Sequence, residues 1–289
     1  MSKPNEPSSA LGRTTTLTTW TDPIRPDVRA HIASKLVAVA AEHNVRILYA
    51  AESGSRAWGF ASPDSDYDVR FIYAHTVDWY LRLADGRDVI EKGIDERLID
   101  LNGWDVRKAL RLLLKSNPVL YEWLVSPINY ADDGTFRPAV TMLFERHASP
   151  SALARHYWSI ARTQWRSEID GREQVKLKKY FYLIRPLLSL VHVAHVGKPP
   201  PMQLGELLAS AANAPGGESL ASGLGADIAH LLELKRTLPE LGLGERISAL
   251  DAWAVATLHR LHPDNLSLMS IYPADSQSAA EKLFRESIG

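Results

Sequence analysis

The stretch Leu48–Tyr73, LYAAESGSRAWGFASPDSDYDVRFIY, decides the fold predicted for this chain. It begins inside a short apolar and β-branched run, Val45–Ala51, which predicts a buried strand. Residues 52–65 then predict a loop, one helical turn and a proline turn. A second strand is predicted over Tyr67–Ala74. Two strands are thus joined by a polar segment that contains both glycine and acidic residues.

Three carboxylates are expected on one surface of these strands. Asp66 and Asp68 stand two residues apart at the start of the second strand, so both side chains project from the same face. Asp100 lies between two apolar residues of a further predicted strand, Glu96–Leu101. If the two strands are neighbours, Asp100 completes a cluster of three. Oxygen-only ligation suits two Mg²⁺ or Mn²⁺ ions roughly 4 Å apart, the arrangement used for in-line phosphoryl transfer.

Gly54 and Ser55 predict an anion-binding turn beside these carboxylates. Glycine lets backbone N–H groups approach an anion closely, and the serine hydroxyl adds one donor. Taken alone, a Gly-Ser pair or an Asp-x-Asp turn is commonly only a solvated loop. The joint pattern of strand, Gly-Ser, Asp-x-Asp and a carboxylate centred in a third strand favours a functional site.

Outside this stretch the chain divides into an α+β part and a helical part. Residues 1–25 are rich in Ser, Thr and Pro without periodicity, which is typical of a flexible arm. Residues 26–135 contain a first helix over Asp27–His43, the strands and two further helices from Trp104 onward. Residues 136–289 carry little strand signal, and Pro186 is expected to kink or split one helix. The helices predicted there are Phe136–Arg146, Pro150–Ile169, Glu173–Val196, Leu204–Ala212, Ala226–Leu238 and Ile247–His262.

Composition excludes several function classes. The 289 residues hold 33 Lys and Arg against 34 Asp and Glu, a net charge of −1. This balance argues against nucleic-acid binding by bulk charge, but not against a local basic groove. Cysteine is absent, which excludes thiol catalysis, disulfide scaffolds and cysteine-ligated zinc. The sequence predicts neither a secretory signal nor a membrane span, so we expect a cytoplasmic protein that does not contact membranes.

The Leu48–Tyr73 stretch resembles the signature of the DNA polymerase β-like nucleotidyltransferase superfamily: a hydrophobic residue, Gly-[Gly/Ser], a spacer and Asp-h-[Asp/Glu]-h. More narrowly, it resembles a predicted nucleotidyltransferase family linked to bacterial and phage RNA-repair operons. That likeness extends to residues 104–113, 117–127 and 182–188. The resemblance implies a small mixed sheet like the polymerase β palm, followed by a helical domain that binds nucleotide or substrate. It also implies that Asp66 and Asp68 bind metal and that Asp100 activates the attacking group.

Four further residues are candidate nucleotide contacts. Arg56 follows Gly-Ser and either reaches a triphosphate or is a surface arginine. Lys178, Tyr182 and Arg185 share one helical face, which suits phosphate binding plus base stacking or simply a solvated amphipathic helix. The family resemblance favours nucleotide contact. Arg70, two residues beyond the second aspartate, either pairs with a carboxylate or touches substrate.

The sequence therefore predicts metal-dependent transfer of a nucleoside monophosphate from an NTP, ATP or another, to an acceptor hydroxyl, with release of pyrophosphate. The favoured acceptor is an RNA end, in repair or tailing, bound by basic residues of segments 107–115, 162–166 and 176–179. A protein or a small molecule is the alternative acceptor. A catalytically silent regulator that binds nucleotide or RNA is the third hypothesis, against which the complete carboxylate set argues. The oligomeric state is not predicted.

Overall fold

A five-stranded mixed sheet organises the first half of the chain. The computed structural model describes residues 24–218, 220, 223–237, 242–270 and 273–289. The spatial strand order is β3-β4-β2-β1-β5, with β2 parallel to β4 and the other pairs antiparallel. These strands are β1 Arg46–Ser53, β2 Tyr67–Ala74, β3 Val89–Lys92, β4 Ile99–Asp105 and β5 Asn129–Asp132. The predicted α+β class with a small mixed sheet is confirmed.

The register between β2 and β4 positions the acidic residues. Asp68 lies opposite Asp100 in this parallel pair, so both carboxylates stand on the same face and at the same level. Alternate residues of β2, from Tyr67 to Tyr73, are buried in an apolar cluster beneath the first helix. Because side chains alternate across a strand, Asp68 and Arg70 therefore point away from that helix.

The first helix, α1, spans Pro26–His43 and covers one face of the sheet. It buries Val28, Ile32, Leu36 and Val39, the helical spacing read from the sequence. It begins one residue before the predicted start, because a proline fits the first turn. The predicted arm, residues 1–25, lies outside the described residues except for its last two, of which Ile24 is buried against the same cluster.

The other face of the sheet carries helices from both halves of the chain. They are α4 Val106–Leu114, α5 Pro118–Leu124, α6 Phe136–His147, α7 Pro150–Gln164 and part of α8 Lys178–Val196. Two one-turn helices, α2 Gly54–Ala57 and α3 Val77–Tyr80, lie in the loops on either side of β2.

The third predicted strand continues further than the sequence indicates. It runs to Asp105 rather than ending at Leu101, and α4 begins only at Val106. Gly103 lies in the added part, where any side chain would collide with the ring of Phe71. Asp105 then caps α4 by accepting a hydrogen bond from the backbone N–H of Arg107 (2.8 Å).

The second half is predominantly helical, with several departures from the predicted elements. The segment predicted as one helix, Glu173–Val196, instead begins with strand β6, Gln174–Lys176. This strand pairs antiparallel with β7, Leu243–Glu245, some 70 residues later. Helix α8 then runs through Pro186 without being split.

The remaining helices complete this half. They are α9 Leu204–Ala212, α10 Gly223–Thr237, α11 Ser248–Arg260 and α12 Ser276–Ile288, and a π-helical turn, Trp165–Ile169, extends α7. Helix α12 is not among the helices predicted from the sequence, and it packs back against α4 and α6. None of the helices in the described part of the chain combines the length and the apolar character that crossing a bilayer requires.

Candidate active site

A pocket of about 520 Å³ opens where β1 passes into α2. Its wall combines a glycine turn, aspartates at the start of β2, and cations and aromatic rings from later helices. Most residues predicted for the site line it, namely Gly54, Ser55, Asp66, Asp68, Lys178 and Tyr182. Segments more than 100 residues apart in sequence therefore meet at one surface.

The turn at Gly54 holds an aspartate directly against the backbone. Gly54 has a φ of +61°, which favours glycine, and a side chain there would collide with Oδ2 of Asp68. The loop into β2 is fixed from behind by Arg56, which donates to the carbonyls of Ser65 (2.6 Å) and Asp66 (3.1 Å). Asp68 is thus positioned by the Gly54 backbone, and Asp66 by the Arg56 bonds to the main chain at residues 65 and 66.

Arg70 bridges two of the predicted catalytic carboxylates. Its Nη2 donates to Oδ1 of Asp68 (2.7 Å) and lies 2.8 Å from Oδ2 of Asp100. Asp100 does not line the pocket, but it stands next to Asp68 through the β2–β4 register. Of the two roles considered for Arg70, the structure shows the ion pair.

Glu52 anchors this acidic region from the core. It is fully buried, accepts a hydrogen bond from the backbone N–H of Asp68 (2.9 Å), and also accepts one from the hydroxyl of Tyr130. Burial raises the pKa of Glu52 to about 7. Burial also raises the pKa of Asp68, a rise that Arg70 opposes and that the carboxylates of Asp100 and Asp66 reinforce.

The donor chemistry of this region fits a hard divalent cation. Asp66 and Asp68 offer oxygen ligands at the pocket, and mutual repulsion between carboxylates favours a cation among them. Within the described part of the chain, however, no group of three or more His, Asp or Glu side chains is arranged to hold a metal ion. The guanidinium of Arg70 lies between two of the three predicted carboxylates, Asp68 and Asp100.

Lys235 and Trp58 line the pocket but are not among the residues predicted for the site from the sequence. Lys235 of α10 is only 9% exposed, and burial lowers the pKa of its ammonium. It packs over the rings of Phe60 and Phe181, and no carboxylate of the described residues forms an ion pair with it. Trp58 lines the same pocket, with the ring of Tyr182 edge-on at 6.4 Å. The negative charge of Asp64, on the same pocket wall, favours the charged form of Lys235. A largely buried ammonium at a pocket also suits an anionic ligand.

The structure does not bring two predicted nucleotide contacts to the pocket. Arg56 is 4% exposed and stacks on the ring of Tyr67 (3.9 Å) in addition to its carbonyl bonds. Arg185 is 6% exposed and pairs with Glu122 (2.9 Å) beneath the pocket wall. The first turns of α8 reach the pocket, whereas position i+7 lies deeper, where the helix is buried all round.

Part of the predicted basic groove also lies elsewhere. Because β4 extends to Asp105, α4 begins at the far end of the strand, roughly 17 Å from Asp100 at the usual rise per residue. Lys108 of α4 pairs with Asp88 (3.1 Å), and Arg107 lies over the ring of Tyr80. The cations of α4 therefore do not contribute to the pocket.

Comparison with known proteins decides the family. The family model described as the RNA repair pathway DNA polymerase beta family, RlaP, matches residues 28–285. The chain belongs to this family. The resemblance drawn from Leu48–Tyr73 is thereby confirmed, and membership supports a nucleotidyltransferase.

Two proteins are similar to this RlaP family member. An uncharacterized protein of Bacillus subtilis (strain 168), YcgL, is 40% identical over 234 residues, which cover 81% of this chain and 86% of the relative. A crystal structure of a nucleotidyltransferase-like protein from Exiguobacterium sibiricum 255-15 covers 88% of this chain and 79% of its own. Its sequence identity is 13% and its TM-score 0.29, so it carries no argument about the site.

Proposed function

We propose that this protein transfers a nucleoside monophosphate from an NTP to an acceptor hydroxyl and releases pyrophosphate. The observation that carries the proposal is one pocket in which Asp66 and Asp68 face the Gly54 turn and two lysines, Lys178 and Lys235. An acidic pair beside a cationic wall suits a ligand that carries phosphates together with a divalent cation. Membership of a polymerase β family supports the same chemistry.

Several residues of the pocket, together with Asp100 beside it, have a role in the proposed reaction. Asp66 and Asp68 would hold Mg²⁺ or Mn²⁺, as two ions where Asp100 joins them, and the bound metal would supply charge neutralisation at the α-phosphate. The backbone and hydroxyl of Ser55 donate to phosphate oxygens, which Lys235 neutralises further. The acceptor oxygen attacks the α-phosphorus, the bond to pyrophosphate breaks, and a carboxylate oxygen of Asp100 accepts the hydroxyl proton.

The aromatic wall is suited to the nucleobase. Trp58 and Tyr182 stand edge to face in the pocket, and Arg185 lies 4.4 Å from the Trp58 ring. Arg185 is itself paired with Glu122, so it fixes the indole rather than contacting the nucleotide. Ring faces of this kind bind any base by stacking, and they agree with a site that holds an NTP.

We infer an RNA end as the acceptor because the family is described by an RNA repair pathway. A protein or a small molecule is the alternative acceptor, and a silent regulator that binds nucleotide without turnover is the remaining hypothesis. Testing RNA, protein and small-molecule acceptors in separate reactions distinguishes the identity of the acceptor from the transfer reaction itself.

Pyrophosphate release tests the proposal. The full-length protein is incubated with each of the four NTPs, with Mg²⁺ or Mn²⁺, and with a pool of RNAs that end in 3′-hydroxyls. We expect release that requires RNA and disappears in the Asp66→Asn/Asp68→Asn double variant. Asp88→Asn is the matched control, because Asp88 pairs with Lys108 of α4 (3.1 Å) and does not line the pocket. Pyrophosphate release without RNA would indicate a protein or a small molecule as the acceptor. NTP binding without pyrophosphate release would support the silent regulator.

A further inference from the structure

One guanidinium occupies the centre of the acidic cluster. Nη2 of Arg70 is shared between Oδ1 of Asp68 (2.7 Å) and Oδ2 of Asp100 (2.8 Å). Its Nη1 donates to the carbonyl oxygens of Asp100 (3.1 Å) and Val69 (3.2 Å). The side chain is 17% exposed and lines the edge of the pocket while its guanidinium is held by these four oxygens.

The strand pairing makes this bridge a built-in feature. Arg70 follows Asp68 by two residues on the same face of β2, and Asp100 is the register partner of Asp68 on β4. A side chain at position 70 therefore reaches both carboxylates without leaving its own strand. The neighbouring cation, Arg56, donates instead to the carbonyls of Ser65 and Asp66.

The bridge competes for the oxygens that a metal would use. Asp66, Asp68 and Asp100 together carry three negative charges, and Arg70 offsets only one. A divalent cation placed between Asp68 and Asp100 would compete for the two oxygens that now accept from Nη2. Both cations cannot occupy that position, since a guanidinium and a metal ion repel each other at such distances.

We infer that Arg70 is an internal cation that closes the carboxylate cluster in the metal-free protein and must leave it when a divalent metal binds. This inference deepens the proposed function and rests on its metal site. Arg70 then lowers the affinity for metal and, when no metal is bound, offsets part of the repulsion between the carboxylates. It already lines the pocket in its bridging position. Metal binding then depends on a substrate that binds the Arg70 guanidinium and so draws it from between the two carboxylates.

Metal affinity of the full-length protein tests this inference without any activity measurement. Metal-free protein is titrated with Mn²⁺, and free Mn²⁺ is followed by electron paramagnetic resonance. The variants are Arg70→Gln, Arg70→Lys, Asp68→Asn and Arg137→Gln. The last is a matched control that removes one cation paired with a carboxylate, Asp132 (2.6 Å), away from the pocket.

We expect Arg70→Gln to bind Mn²⁺ about tenfold more tightly than the natural protein, since one unit charge is removed within a few ångströms of the metal. Arg70→Lys should lie near the natural value, Arg137→Gln should equal it, and Asp68→Asn should bind weakly. In thermal unfolding, metal-free Arg70→Gln should melt lower, and Mn²⁺ should raise its Tm more than that of the natural protein.

The outcomes separate this inference from the proposed function. Equal or weaker Mn²⁺ binding by Arg70→Gln, with binding still lost in Asp68→Asn, would overturn the role of Arg70 and leave the metal site standing. Mn²⁺ binding that Asp68→Asn does not change, or no binding by any variant, would overturn the metal site and the inference together. Binding by Arg70→Gln alone would support the inference in its strongest form.

Discussion

Two arginine–carboxylate clusters lie on either side of the pocket wall, and they differ in charge balance. Beneath the wall, Arg185 faces one carboxylate, Glu122, whose oxygens also accept from Trp58 (3.3 Å) and Tyr157 (3.4 Å). At the pocket, Arg70 faces two carboxylates, with Asp66 close enough to raise the pKa of Asp68 further.

The comparison distinguishes a structural ion pair from a functional one. The Arg185–Glu122 pair is buried and balanced, so its removal is expected to affect folding and the position of Trp58. The Arg70 cluster carries an excess of negative charge at a solvent-accessible pocket, an arrangement that costs stability unless a ligand uses it. Four changes sharpen or break this contrast.

The largest effect is expected at Asp68. Asp68→Asn removes one charge from the unbalanced cluster, so nucleotidyl transfer should fall by roughly 10³-fold or more, since positioning and charge neutralisation carry the reaction. Stability should change little, because the amide still fits against Gly54. Single-turnover kinetics and urea unfolding measure the two effects. If the loss in the free energy of unfolding were as large as the loss of activity expressed as a free energy, the two clusters would not differ in the way proposed.

Arg185→Met should show the opposite profile. It leaves Glu122 buried without its guanidinium, which is expected to cost roughly 3–5 kcal/mol in the free energy of unfolding. A double variant that adds Glu122→Leu should recover a large part, because no charge is then left uncompensated. The double-mutant cycle is measured by urea denaturation. A cost below about 1 kcal/mol for Arg185→Met would show that this pair is not structural.

Glu52 predicts a pH dependence of stability. Its pKa is raised to about 7 in the folded protein, whereas the ordinary value is 4.5. Between these values the folded state keeps a proton that the unfolded state has lost, so stability falls as pH rises from about 4.5 to 7 and then levels off. The Glu52 share should amount to roughly 1–3 kcal/mol. Urea unfolding at pH 5, 6, 7 and 8 should show this slope reduced in Glu52→Gln, and an identical slope in both proteins would contradict the assignment.

The smallest effect is expected at Lys235. Lys235→Met should raise the KM for NTP about tenfold, because the pocket loses a buried positive charge opposite the phosphates. Lys235→Arg keeps the charge and is the matched control. Steady-state kinetics with both variants measures the change. An unchanged KM in Lys235→Met, with the fold intact, would mean that this ammonium has no anionic partner.

Local patterns were sufficient to predict the part of the fold that carries the family signature. The glycine turn, the second strand and α1 follow from residues adjacent in sequence, and the structure places them as expected. The position of Asp100 needed one non-local fact, the parallel pairing of β4 with β2. That pairing also determines which carboxylates Arg70 bridges.

Other parts of the site depend on contacts that no local pattern contains. Lys235 comes from a helix some 170 residues beyond Asp66, and in sequence it resembles any solvated helical lysine. The i, i+4, i+7 spacing in α8 correctly groups three residues but cannot say that Arg185 lies in the core. The β6–β7 pair was not predicted, because each strand has only three residues and the two strands are far apart in sequence.

Transfer of label from [α-³²P]ATP and the other labelled NTPs would show directly whether this protein moves a nucleoside monophosphate to RNA. The full-length protein is incubated with Mn²⁺ or Mg²⁺ and with RNA that ends in a 3′-hydroxyl, and products are separated by gel electrophoresis. Our account predicts labelled RNA with the natural protein and none with Asp66→Asn/Asp68→Asn. If the protein still binds the NTP but no label appears on RNA, on protein or on a small molecule, the proposed transferase activity is contradicted.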